Sequence, residues 1–178
     1  METNHRYVFA LRAAKSAVLA SVSLFCLLIV FGNVTDYWVN FEFVARVLSM
    51  DGRIEDLAAA SNIDYRAVTA PALHHAAYAL IIAVELFVAV ACGIGAWRTA
   101  RAARGDDAAF DAAKTWGIIG LTAGILLWFT GFQAIGGEWF GMWMSEAWNG
   151  LPAADRITTF FLGALIFLSL RNDHHIPR

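Results

Sequence analysis

Three long runs in this chain are almost free of charge. No charged residue falls between Lys15 and Asp36, none between Lys114 and Glu138, and from Ala76 to Trp97 the single charge is Glu85. About 20 apolar residues cross a hydrocarbon core about 30 Å thick, and a helix satisfies its own backbone there. These runs are therefore expected to be transmembrane helices. Composition agrees: 59% of the 178 residues are apolar and 16% are charged, with a mean hydropathy of +0.56. A soluble domain is roughly half apolar and a quarter charged.

A fourth run, "ITTFFLGALIFLSL", lies between Arg156 and Arg171 and is short for a span. Both arginines can snorkel toward the headgroups, so Leu151 to Arg171 suffices. The placement of Lys and Arg sets orientation. Nine of the thirteen basic residues (Arg6, Arg12, Lys15, Arg98, Arg101, Arg104, Lys114, Arg171 and Arg178) fall on one side. Arg46, Arg53, Arg66 and Arg156 fall on the other, among nine carboxylates. Both termini are expected in the cytoplasm, which requires an even number of spans. The first span is expected to be retained rather than cleaved, since "VFGNVTDYWVN" is a poor signal-peptidase site. Cys26 and Cys92 lie inside spans and read as small apolar residues, not as a disulfide framework. The net charge of −2 argues against a nucleic-acid partner.

The expected fold class is all-α: a four-helix transmembrane bundle with short interfacial helices in two outer, periplasmic-side loops. One membrane domain covers 1–178, with spans at about 14–34, 71–97, 114–135 and 154–171 and outer loops at 35–70 and 136–153. In "NFEFVARVLSM" the polar Glu42, Arg46 and Ser49 recur at helical spacing among apolar residues, which suits a helix lying in the interface. "DGRIEDLAAAS" reads as a turn and a second short helix. Pro71 suits the first turn of span two, where its missing N–H costs nothing. In lipid, helices associate through small residues. Gly117, Gly120, Gly124 and Gly131 form such a stripe on span three, and Ser16, Ala20 and Ser23 offer one on span one. Gly136 and Gly137 are expected to end span three in left-handed conformations. Trp139, Phe140 and Trp143 should then form a short helix on the interface, where indoles prefer to sit.

Glu85 stands near the middle of span two, where ionisable groups are rare and usually functional. At a hundred degrees per residue, His74, Tyr78, Glu85 and Cys92 share one stripe. The functional reading is proton binding or coupling; the structural one is a protonated Glu hydrogen-bonded to a neighbouring helix. Adjacent His74 and His75 point about a hundred degrees apart and cannot easily share a metal. His5, His174 and His175 lie on the opposite side, so haem ligation across the bundle lacks a second ligand. His74 with Asp36, Glu138 or Glu146 is a conceivable metal set, against interfacial histidines that only hydrogen-bond. Asn33, Asp36, Asn40 and Gln133 add polar groups at the same level. They could line an outward-facing pocket with His74 and Glu138, or cap helix ends. No dinucleotide, phosphate-loop, HExxH or CxxC motif is present. No cofactor or metal is implied.

Three blocks, "NVTDYWVNFEFVARVLSMD", "APALHHAAYALIIAVE" and "GLTAGILLWFTGFQAIGGEWFGMWMSEAWNG", follow one another over most of the chain. They resemble the bacterial family of predicted small integral membrane proteins, domain of unknown function 2165. The resemblance implies a four-span inner-membrane protein with no established activity. It also implies that family function involves Asn33, Asp36, His74, His75, Tyr78, Glu85, Glu138, Trp139, Trp143, Trp148 and Asn149, all present here. The leading expectation is an accessory or assembly partner of a larger membrane complex, its contacts being the bilayer, other membrane proteins or itself. The alternatives are a proton-coupled transporter using Glu85, and a membrane enzyme using His74 and Glu138 as acid and base.

Overall fold

The computed structural model describes the backbone of residues 2–174 and the side chains of residues 4–174; His175 and Arg178 lie outside the described residues. Every regular element described is helical. Four helices are long and apolar enough to cross a membrane: Asn4–Thr35, Pro71–Ala102, Asp107–Trp139 and Leu151–Ser169. The first belongs to α1 (Glu2–Thr35), which turns at Asp36 into the short α2 (Tyr37–Ser49). Helix α3 (Glu55–Ala60) and a 3-10 turn at Asp64–Arg66 complete the first loop. Helix α4 (Pro71–Ala102) opens with Pro71 in its first turn, as expected. Helix α5 (Asp107–Ala113) starts at Asp106, whose carboxylate accepts the Ala109 N–H at 2.7 Å. It leads into α6 (Thr115–Ile125), and α7 (Leu151–Ser169) closes the bundle.

Helix α4 is the centre, packing on α1, α6 and α2. Association in lipid needs close backbone approach, and glycines provide it where α4 meets α6. A Cβ on Gly95 would stand 2.6 Å from Gly117 N, and one on Gly120 would stand 2.7 Å from Cys92 Sγ. Gly124 instead faces Phe161 of α7. Gly131, expected on the same contact stripe, has only Leu127 of its own helix near it and makes no helix–helix contact. On α1, Ser16 donates to Thr99 Oγ1 at 2.9 Å and Ser23 to the Ala89 carbonyl at 2.8 Å. Ala20 is exposed and does not belong to that face, because it lies about a hundred degrees from Leu19. Cys26 and Cys92 are free thiols with no accessible surface.

Span three does not end at Gly136. It continues as a π-helix over Leu126–Trp139, and Phe140 N–H closes it on the Ile135 carbonyl at 3.0 Å. Such wide winding is rare and usually confined to one turn. Gly136 and Gly137 stay helical because neighbours approach them. A Cβ on Gly137 would lie 2.9 Å from Leu151 Cδ2, and one on Gly136 3.3 Å from Met142 Cε. The left-handed residue is Gly141, at φ +64°. The expected interfacial helix is correspondingly reduced to a 3-10 turn at Met142–Met144, with Phe140 buried and Trp139 and Trp143 half exposed.

Candidate functional site

At the loop end, the buried Tyr78 and Glu85 form one network with the partly buried Asn33. Asn33 Nδ2 donates to Glu85 Oε2 at 2.7 Å, and Tyr78 OH donates to the Asn33 carbonyl at 3.0 Å. The predicted stripe of His74, Tyr78, Glu85 and Cys92 is buried along its length, with Glu85 3% exposed. The carboxylate faces α1 because residues seven apart on α4 return to the same face. Above it, His75 is embedded in aromatic rings. Phe41 stacks on it at 4.1 Å between centroids, Trp38 meets it edge-on at 5.9 Å, and Tyr37 OH lies 2.8 Å from Nδ1. These contacts fasten α2 across the end of α4.

The remaining sequence candidates scatter. His74 Nε2 lies 2.6 Å from the Val68 carbonyl, which fixes the loop leading into α4. No hydrogen bond or ion pair joins His74 to Glu138 among the described residues. Glu138 is exposed, and its backbone carbonyl accepts from Arg66, which lies over the Trp139 ring at 4.8 Å. Gln133 turns to α7 and donates to Thr158 Oγ1 at 3.1 Å. Asp36 is exposed, and its carbonyl accepts from Asn40. Asn149 Oδ1 accepts the Leu151 N–H at 3.1 Å, serving the start of α7. Trp148 packs over Gly52 and Phe43. Arg46, exposed on α2, is held between Glu42 at 2.7 Å and Asp51 at 3.2 Å; the bond to Glu42 raises its guanidinium above the ordinary value.

Beside this network, on the other flank of α4, lies a cavity of about 640 Å³. Its walls are Ala77, Ile81 and Val84 of α4 and Leu127, Gly131 and Phe132 of the π-helix. Phe43, Val47 and Leu48 of α2 roof it. No titratable side chain lines it. The glycine contacts that join α4 to α6 stop at Gly120, and beyond them the two helices diverge. Sequence reasoning missed this cleft.

The opposite end, where α1 at Arg12 meets the chain after α7, carries a charge cluster that sequence reasoning also missed. Arg12, Lys15 and Lys114 are 0%, 1% and 3% exposed, and Asp173 is 0% exposed. Arg12 donates to the Asp173 carbonyl at 3.0 Å, to the Gly105 carbonyl at 2.8 Å and to Asp107. Lys15 donates to the Leu170 carbonyl. Asp173 Oδ2 lies 3.1 Å from Lys15 Nζ and 3.0 Å from Lys114 Nζ, and Lys114 Nζ donates a hydrogen bond to Asp173 Oδ1 at 3.3 Å. Lys114 also pairs with Asp111 at 2.8 Å, and His174 Nε2 lies 3.0 Å from Asp111 Oδ2. Asp111, Asp173 and His174 form the one grouping of metal-ligand type close enough to share an ion among the described residues. The lysines already neutralise these carboxylates, so the cluster does not fit a cation.

Four apolar spans around a shared core, with charge gathered at one end and aromatic rings at the other, define an integral membrane protein. The chain belongs to the family described as predicted small integral membrane proteins (DUF2165), which matches residues 11–171. No curated protein and no solved structure matches it.

Proposed function

We propose that the chain is a non-enzymatic accessory protein of the membrane that holds, in the cleft between α4 and the π-helix, an apolar part of another membrane component. The observation that carries this is the cleft itself. About 640 Å³ of space is lined by apolar side chains, with Thr130 its single hydroxyl, within the range of about 300–1,000 Å³ typical of binding pockets. Of the polar residues suited to chemistry, His74, Gln133 and Asn149 are meanwhile engaged in bonds that hold loops and helices, and Asp36 and Glu138 are exposed away from the cleft lining. The excess of Lys and Arg at the end bearing the charge cluster supports a cleft in the outer half of the bilayer and termini in the cytoplasm.

The test is purification from membranes in mild detergent with and without Val84→Trp, which fills the cleft from its wall. A component that accompanies the wild type and is lost from the variant supports the reading; identical composition of the two preparations overturns it. For orientation, Asn62→Cys should react with an impermeant maleimide on intact cells and Ala108→Cys should not.

A second reading, coupling of a proton to transport through Glu85, is favoured by the burial of that carboxyl with Asn33 as its side-chain partner. Transport unaltered across pH by Glu85→Gln would dispose of it.

A further inference from the structure

The geometry points to a single occupant for the cleft: one fatty acyl chain of a lipid in the leaflet on the α2 side. This rests on the binding reading above and names the ligand class. Length argues first. The α4 wall runs from Ala77 to Phe87, about 15 Å at about 1.5 Å per residue. That is about half of a hydrocarbon core about 30 Å thick, the depth one leaflet's chain occupies.

Closure argues second. Phe43, Val47 and Leu48 of α2 roof the cleft. At the other end the Gly120–Cys92 contact brings α4 and α6 together. A partner's transmembrane helix needs the full thickness of the core and an exit at each end, and this cleft provides neither. A flexible chain enters sideways and needs only one opening.

The opening faces lipid. Leu80, Phe87, Leu126 and Ile135 line the cleft and are also exposed on the surface of the bundle. The cavity is thus continuous with the face that the bilayer already covers. Its lining carries no charge, which matches a methylene chain and rejects a headgroup. The nearby arginines of the first loop offer no free headgroup partner either, since Arg46 is paired with Glu42 and Asp51, and Arg53 with Asp64. The wide winding of Leu126–Trp139 supplies an independent observation, because π-helical segments frequently mark functional sites, and here seven of the lining residues lie on that segment: Leu126, Leu127, Thr130, Gly131, Phe132, Ile135 and Gly136.

The experiment reconstitutes the full chain into phosphatidylcholine vesicles containing a small fraction of phosphatidylcholine with a mid-chain diazirine on one acyl chain. After illumination, adducts are mapped by peptide mass spectrometry. The expected result is at least a fivefold enrichment of adducts on Ile81, Val84 and Leu127 over the open lipid face at Leu28 and Phe160. Val84→Trp should abolish the enrichment, and Gly163→Trp, on an open face of α7, should leave it unchanged. Equal labelling of the cleft and the open faces overturns the inference. A parallel arm places a photoreactive phenylalanine at Leu127 in native membranes. A protein adduct of defined mass without lipid enrichment overturns the acyl chain and leaves the accessory reading standing. Neither lipid enrichment nor protein adduct overturns both.

Discussion

Replacing Asp173 by alanine removes the carboxylate that Lys15 and Lys114 share. Lys114 keeps Asp111 at 2.8 Å, whereas Lys15 keeps only the Leu170 carbonyl and the Phe167 ring. Its side chain has no accessible surface, so the ammonium is left buried without a counter-charge. Breaking a buried pair from one side costs about 3–5 kcal/mol, and the carbonyl that remains puts this case near 3. That is about a hundredfold in the unfolding equilibrium. At about 2–4 °C per kcal/mol for a chain of this length, the apparent Tm should fall by roughly 6–12 °C. The assay is thermal unfolding in detergent micelles, followed by tryptophan fluorescence at one fixed scan rate. The companion variant Asp173→Ala/Lys15→Met removes both partners while leaving an apolar stem beside Phe167. It should recover most of the loss, since deleting a pair costs far less than orphaning one member. An unchanged Tm in Asp173→Ala, or a double variant as unstable as the single one, would refute the reasoning.

Gly95→Ala places a Cβ 2.6 Å from the Gly117 backbone nitrogen; neither backbone can yield, so about 3 kcal/mol should be lost, read as a lower Tm. Gly163→Ala meets nothing within 4 Å and should raise stability by about 0.5–1 kcal/mol through helix propensity. Glu85→Gln keeps an acceptor for Asn33 Nδ2 and should change stability by less than about 1 kcal/mol, while Glu85→Leu strands that amide and should cost about 1–3 kcal/mol in the same assay. Tyr37→Phe removes the hydroxyl beside His75 Nδ1 and should cost about 1 kcal/mol; its readout is faster proteolysis in the loop after α2, with the bundle intact.

The spans were readable because charge and hydrocarbon exclude one another, and that exclusion is local in sequence. The stripe of His74, Tyr78, Glu85 and Cys92 was readable for the same reason, being a matter of one helix's periodicity. The charge cluster was not. Arg12 and Lys15 continue the face of Leu19, Val22 and Cys26, all buried. At a helix end, though, a basic residue serves topology equally well, and the partner that buries Arg12 stands 161 residues away. The helix end at Gly136 was misread because glycine serves close contact as readily as a left-handed turn, and only Leu151 and Met142 decide between the two.

The cleft lay beyond sequence because an apolar side chain in a span is written identically whether it meets lipid, a neighbour or a void. Its origin is nonetheless visible in the glycines. Gly95, Gly117 and Gly120 draw α4 and α6 together at the end bearing the termini. Beyond Gly120 no glycine contact draws the two helices together, so only side chains can fill the space between them. Gly131 and Ala123 are too small to fill it, and α2, pinned by the rings around His75, spans it as a roof. The aromatic rings around His75, itself a candidate residue, thus have a mechanical task. They hold the roof in place, and the space beneath takes its depth from where the glycine contact ends.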